Sequence, residues 1–114
     1  RTKKTRHAVY NINYHFVWCP KFRRAVLTGP VGDQLVQMMP QLLQDLGGEV
    51  LELVVRPDHV HLFASFPPRM APYQIMHRIK APTSHHLREH FPQLKSCLPS
   101  LWTRAYYVGT AGNV

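Results

Sequence analysis

The sequence predicts an α+β domain in which one antiparallel sheet carries two helices on a single face. Three observations lead there. Apolar residues alternate with polar ones in three segments, and a fourth is strand-like around Tyr106, Tyr107 and Val108. Apolar residues recur at helical spacing in two others. The six segments follow one another as strand, helix, strand, strand, helix, strand, an order that suggests a split βαβ unit.

Residues 8–18 form the first strand pattern. Ala8, Tyr10, Ile12, Tyr14, Phe16 and Trp18 make an apolar set, and Val9, Asn11, Asn13, His15 and Val17 a mixed set on the opposite face. Pro20 to Arg24 then reads as a basic loop. Residues 31–46 read as a helix, because Val31, Leu35, Met38, Met39, Leu42, Leu43 and Leu46 share a stripe. Pro30 suits its first turn and Gly47 its end, while Pro40 is expected to kink or split it. Residues 49–56 form a second strand with Leu51, Leu53 and Val55 on one face and Glu52, Val54 and Arg56 on the other.

The Pro57-Asp58 turn leads into a third strand over 59–66, and so short a connection implies an antiparallel hairpin. Here Val60, Leu62, Ala64 and Phe66 oppose His59, His61, Phe63 and Ser65. Residues 72–90 are helical in pattern, opened by Pro72 and expected to break near Pro82; 102–110 form a fourth strand around Tyr106, Tyr107 and Val108. The result is a ferredoxin-like split βαβ domain spanning residues 1–114. Its uncovered sheet face carries the histidines.

Charge narrows the choice of partner. Lys and Arg number 14 against 6 Asp and Glu, a net charge of +8 that favours a polyanion. The two cysteines, Cys19 and Cys97, form no CxxC pair, so idle thiols in a reducing cytoplasm are expected. No apolar run approaches the roughly 20 residues needed to span a bilayer. The basic start, Arg1 to Arg6, leads into a strand pattern rather than a signal-peptide core, so a cytoplasmic location is expected. For a domain this small, a homodimer is a natural way to bury more surface.

His59-Val60-His61 is the sharpest local feature. Side chains at i and i+2 of a strand share a face, with Cα atoms about 6.6 Å apart. Two imidazoles at that spacing can converge on one metal ion, with Val60 pointing into the core between them. His15, Asn13 and Glu52 are assigned to the same face, where they could add a ligand or hold one in place. Lys21, Arg23 and Arg24 flank Phe22, a pattern suited to phosphate contact with base stacking. Arg1, Lys3, Lys4 and Arg6 could add salt-dependent affinity without reading sequence. His86 and His90 have helical i, i+4 spacing but no third ligand, and are read as surface residues.

The run Arg56-Pro57-Asp58-His59-Val60-His61-Leu62-Phe63 resembles the signature of the single-tyrosine HUH transposases of small bacterial insertion sequences, the TnpA-like, IS200-like group. HUH denotes two histidines around a hydrophobic residue. Tyr14 through Arg24 is similar to that family's first strand and basic loop, Ile79-Lys80 with Ser84 through Pro92 to its second helix, and Leu101-Trp102 through Val108-Gly109-Thr110 to its last strand. The resemblance implies that His59 and His61 bind a divalent ion, magnesium or manganese. It implies cleavage and rejoining of single-stranded DNA through a 5′-phosphotyrosine, by a dimer that recognises hairpins at element ends. The family's tyrosine, and a glutamine that completes the metal site, lie on a helix after the last strand. The printed residues end at Gly112-Asn113-Val114, ahead of such a helix. The 114 residues alone are therefore expected to bind metal and DNA without cleaving.

Two other readings use the same pattern. A decayed transposase would bind hairpin DNA and do no chemistry. A sheet-based RNA-binding module would stack bases on exposed aromatics. The expected open face, with histidines, asparagines and Phe63 as its clear aromatic, argues against the latter.

Overall fold

A computed structural model describes residues 11–110. The basic arm at 1–6 and the start of the first strand pattern at 8–10, Tyr10 included, lie outside the described residues. The elements are β1 (Ile12–Trp18), a 3₁₀ turn (Lys21–Arg23), α1 (Pro30–Asp45), β2 (Glu49–Arg56), β3 (His59–Phe66), α2 (Pro72–His90), a short α3 (Gln93–Cys97) and β4 (Tyr107–Thr110). The sheet order is β2-β3-β1-β4 with every neighbouring pair antiparallel, the arrangement expected of a ferredoxin-like split βαβ domain.

Alternation in β1 and β3 puts these strands at the centre. Tyr14, Phe16 and Trp18 of β1, and Val60, Leu62, Ala64 and Phe66 of β3, are all buried on the inner face. Phe16 pairs with Leu62 and Trp18 with Val60, so the two inward sets lie side by side. Both helices cover that face. α1 brings Val31, Leu35, Met39 and Leu43, and α2 brings Ile75, Met76, Ile79 and Leu87. Full burial of one such side chain contributes about 1.5–3 kcal/mol, which makes this layer the main source of stability.

Four local expectations are corrected. Neither Pro40 nor Pro82 breaks its helix: α1 and α2 run through them. Both prolines face solvent, so the carbonyls that lose an N–H partner, those of Val36 and Arg78, belong to exposed residues and can bond water. Beyond Pro82, Thr83 Oγ1 donates to the Ile79 carbonyl at 2.7 Å and accepts from Trp102 Nε1 at 3.0 Å, tying the helix to the segment ahead of β4.

In β2, a register shift between Val50 and Glu52 replaces the expected inward set of Leu51, Leu53 and Val55 with Val50, Leu53 and Val55. Leu51 is left 44% exposed.

The fourth strand is shorter than the expected 102–110. Before Tyr107, the carbonyls of Thr103, Arg104 and Ala105 accept from Lys80 Nζ at 2.8, 3.2 and 3.2 Å, so they are spent on a lysine rather than on a ladder. Gly48 marks where β2 starts against its neighbour. A Cβ there would meet the Ser65 carbonyl oxygen at 2.5 Å, so only glycine permits the approach. No helix among the described residues is long and apolar enough to cross a membrane.

Candidate metal and DNA site

The face away from the helices is built row by row. Val54 of β2, His61 of β3, Val17 of β1 and Tyr107 of β4 lie across one row; Glu52, Phe63, His15 and Gly109 lie across the next. Burial of Val60 and Leu62 on the other side fixes His59, His61 and Phe63 on this one.

His61 Nε2 lies 3.3 Å from His15 Nδ1, diagonally across the β1–β3 pair. His15 in turn stacks on Phe63, with ring centroids 4.4 Å apart. His59 Nδ1 lies 3.0 Å from Asp58 Oδ1, and Arg23 Nη2 reaches Asp58 Oδ2 at 3.2 Å. The hydrogen bond from His59, aided by the Arg23 charge, holds the Asp58 carboxyl below the ordinary carboxylate range.

The other expected residues spread out. Glu52 pairs with Phe63, one row from His61; Asn13 pairs with Ser65, about 13 Å along the strand from the His61 row at roughly 3.3 Å per residue. Among the described residues, no group of three or more His, Cys, Asp or Glu side chains is gathered closely enough to enclose a metal ion. A site here would therefore take two imidazoles from β3. The rest of its coordination would come from oxygen ligands such as water and phosphate, which magnesium and manganese favour. That donor set fits a divalent ion engaged with a phosphodiester.

Beside Asp58 lies the basic loop. Phe22 and Arg23 adopt φ of 60° and 51°, the left-handed region that non-glycine residues rarely enter. Phe22 is 67% exposed, and Lys21 Nζ sits 5.7 Å from its ring centroid. A bulky apolar side chain held outward on a strained backbone fits a contact surface better than it fits a packing role.

Two features went unseen in the sequence. The sequence presents Asp58 as a turn residue, although a carboxylate directly before a candidate metal histidine is a usable signal. Tyr107 could not be told from Tyr106 by alternation alone. Register puts Tyr107, 62% exposed, on the open face, while Tyr106 packs against the core. A cavity of about 750 Å³ lies elsewhere, lined by Asp45, Arg69, Tyr73, His77 and Arg78 between the helices. It is formed by the helical layer and does not mark the imidazoles.

Comparison with known proteins decides the family. Residues 8–114 match the family model described as "Transposase IS200 like". The chain belongs to the IS200-like transposase family. Within that family it is 36% identical over 113 residues to the ISDra2 transposase TnpA of Deinococcus radiodurans, covering 97% of this chain and 81% of the relative. It is 31% identical over 113 residues to the transposase for insertion sequence element IS200 of Salmonella typhimurium, covering 97% of this chain and 74% of that one. A crystal structure of a candidate transposase from Deinococcus radiodurans R1 superposes with a TM-score of 0.82 at 30% identity, over 90% of this chain and 81% of the other. A REP-associated tyrosine transposase bound to a REP hairpin shares the fold, with a TM-score of 0.60 at 17% identity over 90% of this chain and 58% of the other. The IS200-like transposase thus carries His59 and His61 on the open face of a sheet that the Deinococcus radiodurans structure also builds.

Proposed function

We propose that this IS200-like transposase cleaves and rejoins single-stranded DNA at insertion-sequence ends through a 5′-phosphotyrosine, with His59 and His61 holding a magnesium or manganese ion. The observation that carries the reading is the pair itself: two imidazoles on one open strand face, with the buried Val60 fixing their direction. When bound, the ion would polarise the scissile phosphate and offset charge in the transition state.

The chain's own residues supply the rest. Lys21 and Arg24 sit where they can take backbone phosphates, and Phe22 offers its exposed ring to an unpaired base. In this reading the nucleophile is the hydroxyl of a tyrosine on a helix that follows the last strand. Its oxygen gives up its proton and bonds to phosphorus as the P–O3′ bond breaks, and the departing 3′ oxygen takes up a proton. The bond energy stays in the phosphotyrosine, so the free 3′ hydroxyl can reverse the step without ATP. A homodimer acting on hairpins belongs to the same proposal. The hairpin part is supported by the REP hairpin to which the structural neighbour is bound.

The test is to incubate the protein expressed from its complete gene with a labelled single-stranded hairpin and manganese, then look for a covalent adduct on a denaturing gel. An adduct that EDTA abolishes is expected. Hairpin binding with no adduct, indifferent to metal, would leave the DNA-binding remnant as the correct reading.

The loop makes a separate prediction. Phe22→Gly is expected to leave the melting temperature unchanged or raised, because glycine tolerates φ near 60°. Single-strand affinity should fall by about 5- to 150-fold, the equivalent of roughly 1–3 kcal/mol for one lost base stack. Unchanged affinity in a filter-binding titration would remove Phe22 from the interface.

A further inference from the structure

We propose that Asp58 is a positioning residue for His59: it accepts the Nδ1–H of the imidazole and leaves the lone pair on Nε2 as the one that binds metal. The inference rests on the metal reading given above and extends it to a residue that reading does not use.

The geometry is specific. Asp58 Oδ1 and His59 Nδ1 are 3.0 Å apart on consecutive residues at the mouth of the β2–β3 hairpin. A carboxylate can only accept, so the nitrogen facing it carries the proton. A neutral imidazole has one N–H and one lone pair, so the lone pair falls on Nε2. An imidazole without such a partner divides between two tautomers and rotates about its side-chain torsions. Either freedom dilutes the form able to bind metal. The second oxygen of Asp58 is occupied as well, by Arg23 Nη2 at 3.2 Å.

With one oxygen on the ring and the other on the guanidinium, the carboxylate plane is fixed from both sides. The Arg23–Asp58 pair is solvent-exposed, so its contribution to stability is small and its effect is orientation. It also joins the candidate DNA loop to the candidate metal ligand through a single carboxylate. The alternation that places His59 toward the open face is the work of Val60 and Leu62; the choice of ring nitrogen is the work of Asp58.

His61 has a different arrangement. Its Nε2 faces His15 Nδ1 at 3.3 Å, and either ring can be the donor there. Asp58 is thus the only carboxylate among the described residues with a hydrogen bond to either histidine of the pair.

The test uses two variants and two readouts on the complete gene product. Nitrogen-15 NMR on the metal-free protein reads the His59 tautomer, and calorimetric titration with manganese alone reads affinity. In the native protein His59 should appear as the Nδ1–H tautomer. Asp58→Ala should shift it toward the Nε2–H form and weaken manganese binding about 10- to 100-fold, the usual consequence of losing an outer partner of a metal histidine. Asp58→Asn, which keeps an acceptor oxygen without the charge, should retain the tautomer and fall between the two in affinity. Melting temperatures should stay within a degree or two, because Asp58 sits in an exposed turn.

A native His59 already in the Nε2–H form, or manganese affinity in Asp58→Ala within twofold of native, overturns the proposal. Failure of the native protein to bind manganese, with the Nδ1–H tautomer observed, instead overturns the metal reading on which it rests.

Discussion

Replacing His61 by alanine is expected to reduce adduct formation by on the order of 10³-fold, the equivalent of about 4 kcal/mol of lost transition-state stabilisation from a metal-held phosphate. His61 lies on an inner strand, flanked by Val54 and Val17, and its ring contacts His15. Its loss removes one of the two proposed nitrogen donors and the group that His15 touches. Hairpin affinity should change little, because backbone phosphate contacts carry most of it and the basic loop is untouched. Single-turnover cleavage of a labelled hairpin measures the first effect and a gel-shift titration the second. Cleavage at the native rate by His61→Ala would remove the imidazole pair from the chemistry. A collapse of binding together with cleavage would show that the residue's role is structural.

Phe16→Ala is expected to destabilise the domain by about 3–5 kcal/mol, the range for an aromatic side chain removed from a well-packed core. Phe16 is fully buried at the middle of β1, within 5.6 Å of Tyr14, 6.3 Å of Phe66 and 6.3 Å of Tyr106 by ring centroid. The rings around it come from β1, from β3 and from the residue that leads into β4, so the void cannot close by one side chain relaxing. Domains of this size are commonly stable by only about 5–15 kcal/mol, so the variant would sit near the edge of folding. Urea denaturation followed by tryptophan fluorescence measures the change. A loss below 1 kcal/mol would mean that the centre of the sheet is packed otherwise than described.

Much of this was legible in the sequence because the relevant signals are local. The bounds of β3, His59–Phe66, follow from its alternation and the Pro57-Asp58 turn, and with them the face that carries both histidines. Of the corrected features, the β2 bulge and the shortened β4 depend on contacts with other elements. Whether Pro40 and Pro82 break a helix depends on whether the freed carbonyls face water, and those of Val36 and Arg78 belong to exposed residues off the apolar stripe. The bulge that turns Leu51 outward is a property of the β2–β3 pairing and not of β2. The shortened β4 follows from Lys80, more than 20 residues earlier, whose ammonium takes the carbonyls of residues 103–105. At the site, the His59–Asp58 bond joins neighbours and could have been anticipated. The His15–His61 contact could not, because it needs the strand register.

The same lysine bears on how the open face behaves over time. β4 has four residues and lies at the sheet edge, so few ladder bonds hold it, while a single half-buried ammonium fastens the approach to it. Burial pushes the Lys80 amine below its ordinary value, with the charge of the neighbouring Cys19 thiol opposing that shift. Short edge strands of this kind open well before the centre of a sheet does. Tyr107 rides on that strand, whereas His59 and His61 ride on β3, paired on both sides. The floor of the face is thus an inner strand carrying two histidines, bordered along one side by a short edge strand that carries the exposed Tyr107.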